Sequence, residues 1–297
     1  MEGVTMFKIF FRSVVVLLLL LLVTSTTFAA DKHSIWKADK GASTVYLVGS
    51  IHLLNQQSYP LPEIYDRIFS ESQNIAFETD LDQIQSPAVQ QRLLLAASFK
   101  PGNSLQTVLA DETYAKLKRY LTAQGLSIEN LSGLKPWMLC LTLSIIEMQK
   151  LGFSPQFGLD QHFMQKAQRQ GKIVLQMESV DEHLATLTGL DRLDQNILVE
   201  QTLRDLDKVS TLFGNMVSAW RHGDAEQLDR LINGSMRAEP QLKELLLDRR
   251  NRKWCAKVES LLELKQTAMV VVGAAHLAGK GSVVELLRQK GYRVEQL

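Results

Sequence analysis

The sequence predicts an α/β fold: a mainly parallel central sheet built from two strand–helix–strand halves, with a large helical insertion between them. Three observations carry this. Near the amino end, STVYLVGS and NIAFETD flank the amphipathic stretch LPEIYDRIFSES, an order that favours a parallel sheet. Near the carboxyl end, AMVVVGAA, VVELLRQKG and YRVEQL repeat that order. Between the two halves, from about 86 to 264, apolar residues recur at helical spacing.

The elements follow in order. Residues 1–30 carry Lys8 and Arg12, then VVVLLLLLLV, then the small-residue exit TSTTFAA. This reads as a secretory signal, cleaved after Ala29 or Ala30, and it predicts an exported protein, periplasmic or secreted. The alternative is an uncleaved anchor. The apolar run over 14–23 is shorter than the ~20 residues of a spanning helix, although Ile9, Phe10 and Phe11 extend it. Membrane contact is expected only through this segment, leaving 31–297 as one domain. SIWKAD and STVYLVGS read as strands turning at Gly41. Pro62 suits the first turn of the following helix, and NIAFETD is an apolar strand ending in acid.

PAVQQRLLLAASF, DETYAKLKRYLTAQ, PWMLCLTLSIIEMQKLG and QHFMQKAQRQ then read as helices, and KIVLQME, near 173–178, as a strand interrupting them. DEHLATLTG, the stretch DRLDQNILVEQTLRDLDKVSTLFGNMVSAW and AEQLDRLI are helical. EPQLKELLLDRRNRKWCAKVESLLELKQ reads as a long late helix. Gly and Pro clusters are sparse and no low-complexity linker intervenes, so this region is an insertion within one domain.

Charge excludes some functions. The 33 basic and 32 acidic residues nearly cancel, and the one dense basic cluster, RRNRK at 249–253, has acidic neighbours, so no nucleic-acid partner is expected. Cys140 and Cys255 sit in apolar helical patterns and read as buried thiols, although an exported compartment permits a disulfide. There is no G-x-S-x-G elbow, P-loop or H-E-x-x-H.

The chemistry-bearing residues begin with a repeated pattern. Gly49-Ser50-Ile51-His52 and Gly273-Ala274-Ala275-His276 each follow a buried strand at its carboxyl end, where α/β sheets bind ligands. Each glycine, Gly49 and Gly273, lets the backbone turn sharply or approach closely. The two halves therefore bring His52 and His276 to one cleft, and imidazole is both a common metal ligand and a common acid–base group. Glu78 shares a strand face with Ala76 and Asp80, and Glu178 repeats its placement at the end of KIVLQMES. Two strand-end histidines and two strand-end carboxylates form a divalent-metal set. His52, His276 and Glu178 serve as ligands and Glu78 as general base, or Glu78 ligates and Glu178 is the base. Arg249, Arg250 and Asn251 form a polar knot in the long late helix. Trp220 and Trp254 read as core, and His33, His162, His183 and His222 as background.

YLVGSIHLL, AFETD, KPW at 135–137, GLDQHF at 158–163, VLQMES, WRHGD at 220–224, DRRNRKW and VVVGAAHLAGKGSVVELLRQKGYRV together resemble the TraB/GumN family, which includes the animal TIKI proteins. The resemblance covers essentially the whole mature chain. It implies an α/β fold related to the erythromycin-esterase and ChaN-like proteins. It also implies metal-dependent proteolysis through the G-x-x-H pair and an acidic residue, here His52, His276 and Glu78, with Arg250 and Asn251 as further candidates. The family's second motif often reads G-A-G-H, where this chain has Ala275.

The expected function is that of an exported metal-dependent hydrolase acting on a peptide or protein, with a divalent ion of the Mn, Co or Zn class. The alternatives are a non-catalytic haem-, iron- or metal-binding protein and an accessory protein of envelope polysaccharide.

Overall fold

TAMVVVG at Thr267–Gly273 is a run of apolar, mostly β-branched residues, buried from Ala268 onward. Such a run suits a strand covered on both faces. In the computed structural model, which describes residues 32–236 and 239–297, it forms β5, inside a six-stranded sheet of order β4-β3-β5-β2-β1-β6. The signal segment and its cleavage site lie outside the described residues, among which no helix is long and apolar enough to cross a membrane.

The other strands are β1 (Ile35–Lys40), β2 (Ser43–Ser50), β3 (Asn74–Phe77), β4 (Ile173–Gln176) and β6 (Arg293–Gln296). β4, β3, β5 and β2 pair in parallel, and β1 pairs antiparallel with both β2 and β6. β1 is thus the one strand running against the rest, and the sheet is mainly parallel. The chain leaves β2 for β3 but leaves a gap between them, which β5 fills more than two hundred residues later. In that register Gly49 lies opposite Val272 and Ser50 opposite Gly273. The two G-x-x-H motifs therefore leave neighbouring parallel strands one residue apart in register.

Period-two alternation sends the strand side chains into two cores. Val48, Ile75, Phe77, Met269 and Val271 face one. That side is covered by α1 (Glu63–Glu71), a later helix, Leu159–Arg169, and a third, Val209–Arg221, which contribute Phe69, Phe163 and Trp220. Leu47, Ala76, Val270 and Val272 face the other, under Trp254, Val258 and Leu287. Numbering helices of seven residues or more, those between are α2 (Pro87–Ala97), α3 (Asp111–Ala123), α4 (Pro136–Lys150), α5 (Leu159–Arg169), α6 (Val180–Gly189), α7 (Gln195–Leu206) and α8 (Val209–Arg221). α9 (Arg249–Leu262) and α10 (Val283–Gln289) follow. α3, α4 and α7 enclose a separate core of Leu117, Leu121, Leu139, Leu143 and Val199. Cys140 belongs to that core and Cys255 to the one beneath α9; both are buried free thiols.

The long late helix is not uniformly α. Pro240–Lys243 passes into a π-helical turn at Glu244–Asp248 before α9, and Asp229–Asn233 forms a second π turn. Such turns widen the helix and redirect the side chains that follow.

The segment after β2 is held by the loop before α5. Ser154 N–H donates to Leu54 C=O at 2.8 Å and Leu159 N–H to Ile51 C=O at 3.2 Å. Gly158 packs so tightly beneath His52 that a Cβ there would collide with the His52 carbonyl oxygen. Gly158→Ala is therefore expected to cost about 1–3 kcal/mol, the range for overpacking a close contact, measured as a lowered thermal unfolding midpoint.

Candidate functional site

At the carboxyl rim of β2, β3 and β5, His52, Glu78, Arg250, Gly273 and His276 line one cavity of about 240 Å³. Glu78 follows β3 and is buried. Its Oε1 accepts from the Gly273 N–H at 2.7 Å and its Oε2 from Arg250 Nη2 at 2.6 Å. A Cβ on Gly273 would come 3.1 Å from that Oε1. Gly273 is thus required for close approach, letting the β5 backbone donate to a carboxylate one strand away.

The two imidazoles converge on the same carboxylate oxygen. His52 Nε2 lies 3.8 Å and His276 Nε2 3.9 Å from Glu78 Oε1. Their other nitrogens are fixed by acceptors. Asn251 donates through Nδ2 to the Gly281 carbonyl at 2.9 Å, which turns its Oδ1 toward His276 Nδ1 at 2.6 Å. His276 must therefore donate from Nδ1 and present an Nε2 lone pair. Burial holds His276 at about 3, well below an ordinary imidazole, despite the attraction of Glu78. His52 Nδ1 donates to Asp160 Oδ2 at 3.1 Å, and Asp160 Oδ1 accepts from Ser50 Oγ at 3.0 Å. The Asp160 charge, against the effect of burial and with help from Glu78, raises His52 to about 9; the ring's 53 % exposure lets water screen part of that attraction. In both rings Nε2 is the atom offered to the cavity.

Arg250 organises the buried side. Its Nε donates to Glu178 Oε2 at 3.0 Å, and Nη2 donates to Glu178 Oε1 at 2.8 Å as well as to Glu78. Nη1 reaches the Leu246 carbonyl, in the π turn one helical turn earlier, and His276 Nε2, both at 3.1 Å. All five guanidinium N–H groups thus have acceptors. Trp254 backs the cation at 4.4 Å and the His276 ring at 4.3 Å, in keeping with its reading as core. Burial alone would raise Glu78, but Arg250, the two histidines and the Gly273 N–H hold it far below the carboxylate range. Glu178 is lowered likewise, burial being outweighed by His183 and Arg250.

The fold brings His52, Glu78, Glu178, Arg250, Asn251 and His276 together, with Gly49 and Gly273 beneath them. Trp220 Nε1 donates to the Gly49 carbonyl at 2.7 Å. Two partners were not evident from sequence. Asp160 orients His52, and the only hint was its place in GLDQHF. His183, read as background, bonds Glu178 through Nδ1 at 2.8 Å. It stands five residues on, past the Ser179–Glu182 capping box that starts α6, so the strand end and the helix's second turn meet. Glu78, Glu178 and His183 each bring a ligand atom within 4.8 Å of the others, so this group could hold a metal ion. Among the described residues it is the one such group found, and His52 and His276 stand outside it.

Removing the guanidinium would leave two buried carboxylates without their shared cation, Glu78 keeping the Gly273 N–H and Glu178 keeping His183. Arg250→Met is expected to destabilise the fold by about 3–5 kcal/mol, and adding Glu78→Gln and Glu178→Gln to recover much of it, measured by urea unfolding.

The family model described as TraB/PrgY/gumN matches residues 34–296. The chain is 25 % identical to YbaP of Escherichia coli (strain K12) over 244 residues, 82 % of this chain and 87 % of YbaP. It is 27 % identical to the metalloprotease TIKI2 of Danio rerio over 302 residues, 84 % of this chain and 58 % of TIKI2. It is 25 % identical to the human metalloprotease TIKI1 over 303 residues, 84 % of this chain and 59 % of TIKI1. The chain thus spans well under two thirds of those two TIKI proteins. No solved structure matches it. With the family model covering nearly the whole described sequence, the chain belongs to the TraB/PrgY/gumN family.

Proposed function

We propose that this protein is an exported metal-dependent hydrolase acting on peptide bonds. The observation that carries the reading is the convergence of both G-x-x-H imidazoles, Nε2 first, on one oxygen of Glu78. Each ring is held from behind at Nδ1 by an oxygen acceptor, as in histidines that ligate metals. The likeness to proteins named as TIKI metalloproteases supports the same reading. Export rests on the leader-like first thirty residues.

The donor chemistry fits a divalent ion of the Mn, Co or Zn class: one carboxylate oxygen and two imidazole nitrogens, once His52 gives up its Nε2 proton and Arg250 Nη1 turns away from His276 Nε2. Such an ion supplies Lewis acidity at the substrate carbonyl. His52, His276 and Glu78 would hold it. Glu78 suits a ligand better than a base, because its strongly lowered pKa makes it a weak proton acceptor. The Glu78–Glu178–His183 group is the competing position. There Arg250 makes three bonds to the two carboxylates, whereas at the rim it bonds Glu78 only at Oε2 and leaves Oε1, the oxygen both histidines face, for an ion. Glu178 then acts by holding Arg250. Of the five Arg250 N–H groups, four meet carboxylate or carbonyl oxygens. The fifth, on His276 Nε2, is the one that can turn to a substrate oxyanion.

Equilibrium metal binding and hydrolysis of a mixed peptide library, measured side by side, test this. His52→Ala and His276→Ala are each expected to weaken metal binding by more than about 100-fold and to abolish hydrolysis. Glu78→Gln is expected to lose affinity and activity together, and His183→Ala to keep its metal. Retention in both histidine variants with loss in His183→Ala would move the ion to the inner group.

A further inference from the structure

The cavity at the rim continues past the histidines. The wall facing His52, Glu78, Arg250 and His276 is made by Met148, Phe213, Met216 and Ile232. The same four residues also line a second cavity of about 370 Å³, which runs between α4, α7 and α8 past Leu206, Val209 and Leu212. The two spaces are therefore one trough with a charged end and an apolar body. Asp205 is the one charged residue lining the second cavity, and Ser144 and Thr202 are its other polar groups among the described residues.

The geometry points to this trough as a specificity subsite: it takes a bulky apolar side chain, of leucine, methionine or phenylalanine type, from an extended peptide whose scissile bond lies over His52 and His276. The assignment rests on the peptidase reading above and adds the class of residue beside the cleaved bond. Full burial of such a side chain against this wall favours binding by about 10- to 150-fold. A carboxylate or ammonium in the same place would lose its water with no partner among Met148, Phe213, Met216 and Ile232. Phe213 is buried and packs edge-on against Phe153 at 4.7 Å, so one wall is rigid. Met148 and Met216 are unbranched and adaptable, so the subsite should discriminate by polarity and bulk more than by shape. Asp205, with the acceptor lone pairs of Ser144 and Thr202, whose hydroxyls donate to the Cys140 and Leu198 carbonyls, suits the N–H groups of a peptide backbone continuing past the apolar side chain. A long acyl chain would have to bury its methylenes against them.

Binding and turnover give separate answers. The binding arm uses the intact protein and blocked pentapeptides, glycine at four positions and Leu, Phe, Gly, Asp or Lys at the centre, measured by calorimetry beside decanoyl-glycinamide. Leu and Phe peptides are expected to bind at least about tenfold tighter than Gly, Asp or Lys peptides. Met216→Arg, on the trough wall and outside the metal set, should remove that preference and favour Asp. Equal binding of Leu and Asp peptides by the unaltered protein would overturn the subsite. Tighter binding of decanoyl-glycinamide than of the Leu peptide would overturn the peptide assignment. In the second arm the metal-loaded protein is offered the same peptides. Preferential binding of Leu and Phe peptides without hydrolysis would sink the peptidase reading while leaving the apolar subsite in place.

Discussion

Ser50 of β2 lies opposite Gly273 of β5, and the parallel register between these two strands sets the geometry of the whole rim. It places both G-x-x-H motifs within one residue of each other on adjacent strands, with β3 and Glu78 on the far side of β5. The pairing is long-range, so its loop-closure cost must be repaid by burial. The apolar run of β5 supplies that burial, since Met269 and Val271 enter one core and Val270 and Val272 the other. The site is thus positioned by a strand buried along nearly its whole length.

The second constraint is electrostatic. Two carboxylates on neighbouring strand ends would repel in a buried setting, and Arg250 resolves this by bridging both. Its arrival depends on α9, which crosses the opposite face of the sheet and carries Arg250, Asn251 and Trp254 on one buried side. One helical stripe therefore supplies the cation between the carboxylates, the amide that sets the His276 tautomer, and the ring that packs on both. A substitution on this stripe would change folding and chemistry together, so effects on activity there need a stability measurement beside them.

The histidines are chemically unequal despite their matching motifs. His276 is buried, neutral and held by an amide oxygen, whereas His52 is half exposed and held by a carboxylate. The difference arises after the strands end. Ala274–His276 turns at once into a short 3-10 segment under α9, while the chain after Ser50 runs outward and is tied to the loop before α5. His52 thus stands at the mouth of the trough and His276 at its floor.

Much of the architecture was legible in residue order alone. Apolar strands alternating with amphipathic helices specified an α/β sheet, because side-chain periodicity and strand–helix–strand order are local properties. The repeated glycine-to-histidine spacing marked two strand ends, and NIAFETD and KIVLQMES marked two carboxylates at others. Tertiary structure decided what those residues meet. No local pattern shows that β5 enters between β2 and β3, that a π turn precedes Arg250, or that all five of its N–H groups find acceptors. Nor could spacing reveal Asp160 behind His52 or His183 behind Glu178, since an isolated aspartate or histidine on a helix carries no periodic signal. Periodicity reports which face of an element is buried; the partner across the interface is chosen by register and by long-range closure, and that choice is made only when the whole chain packs.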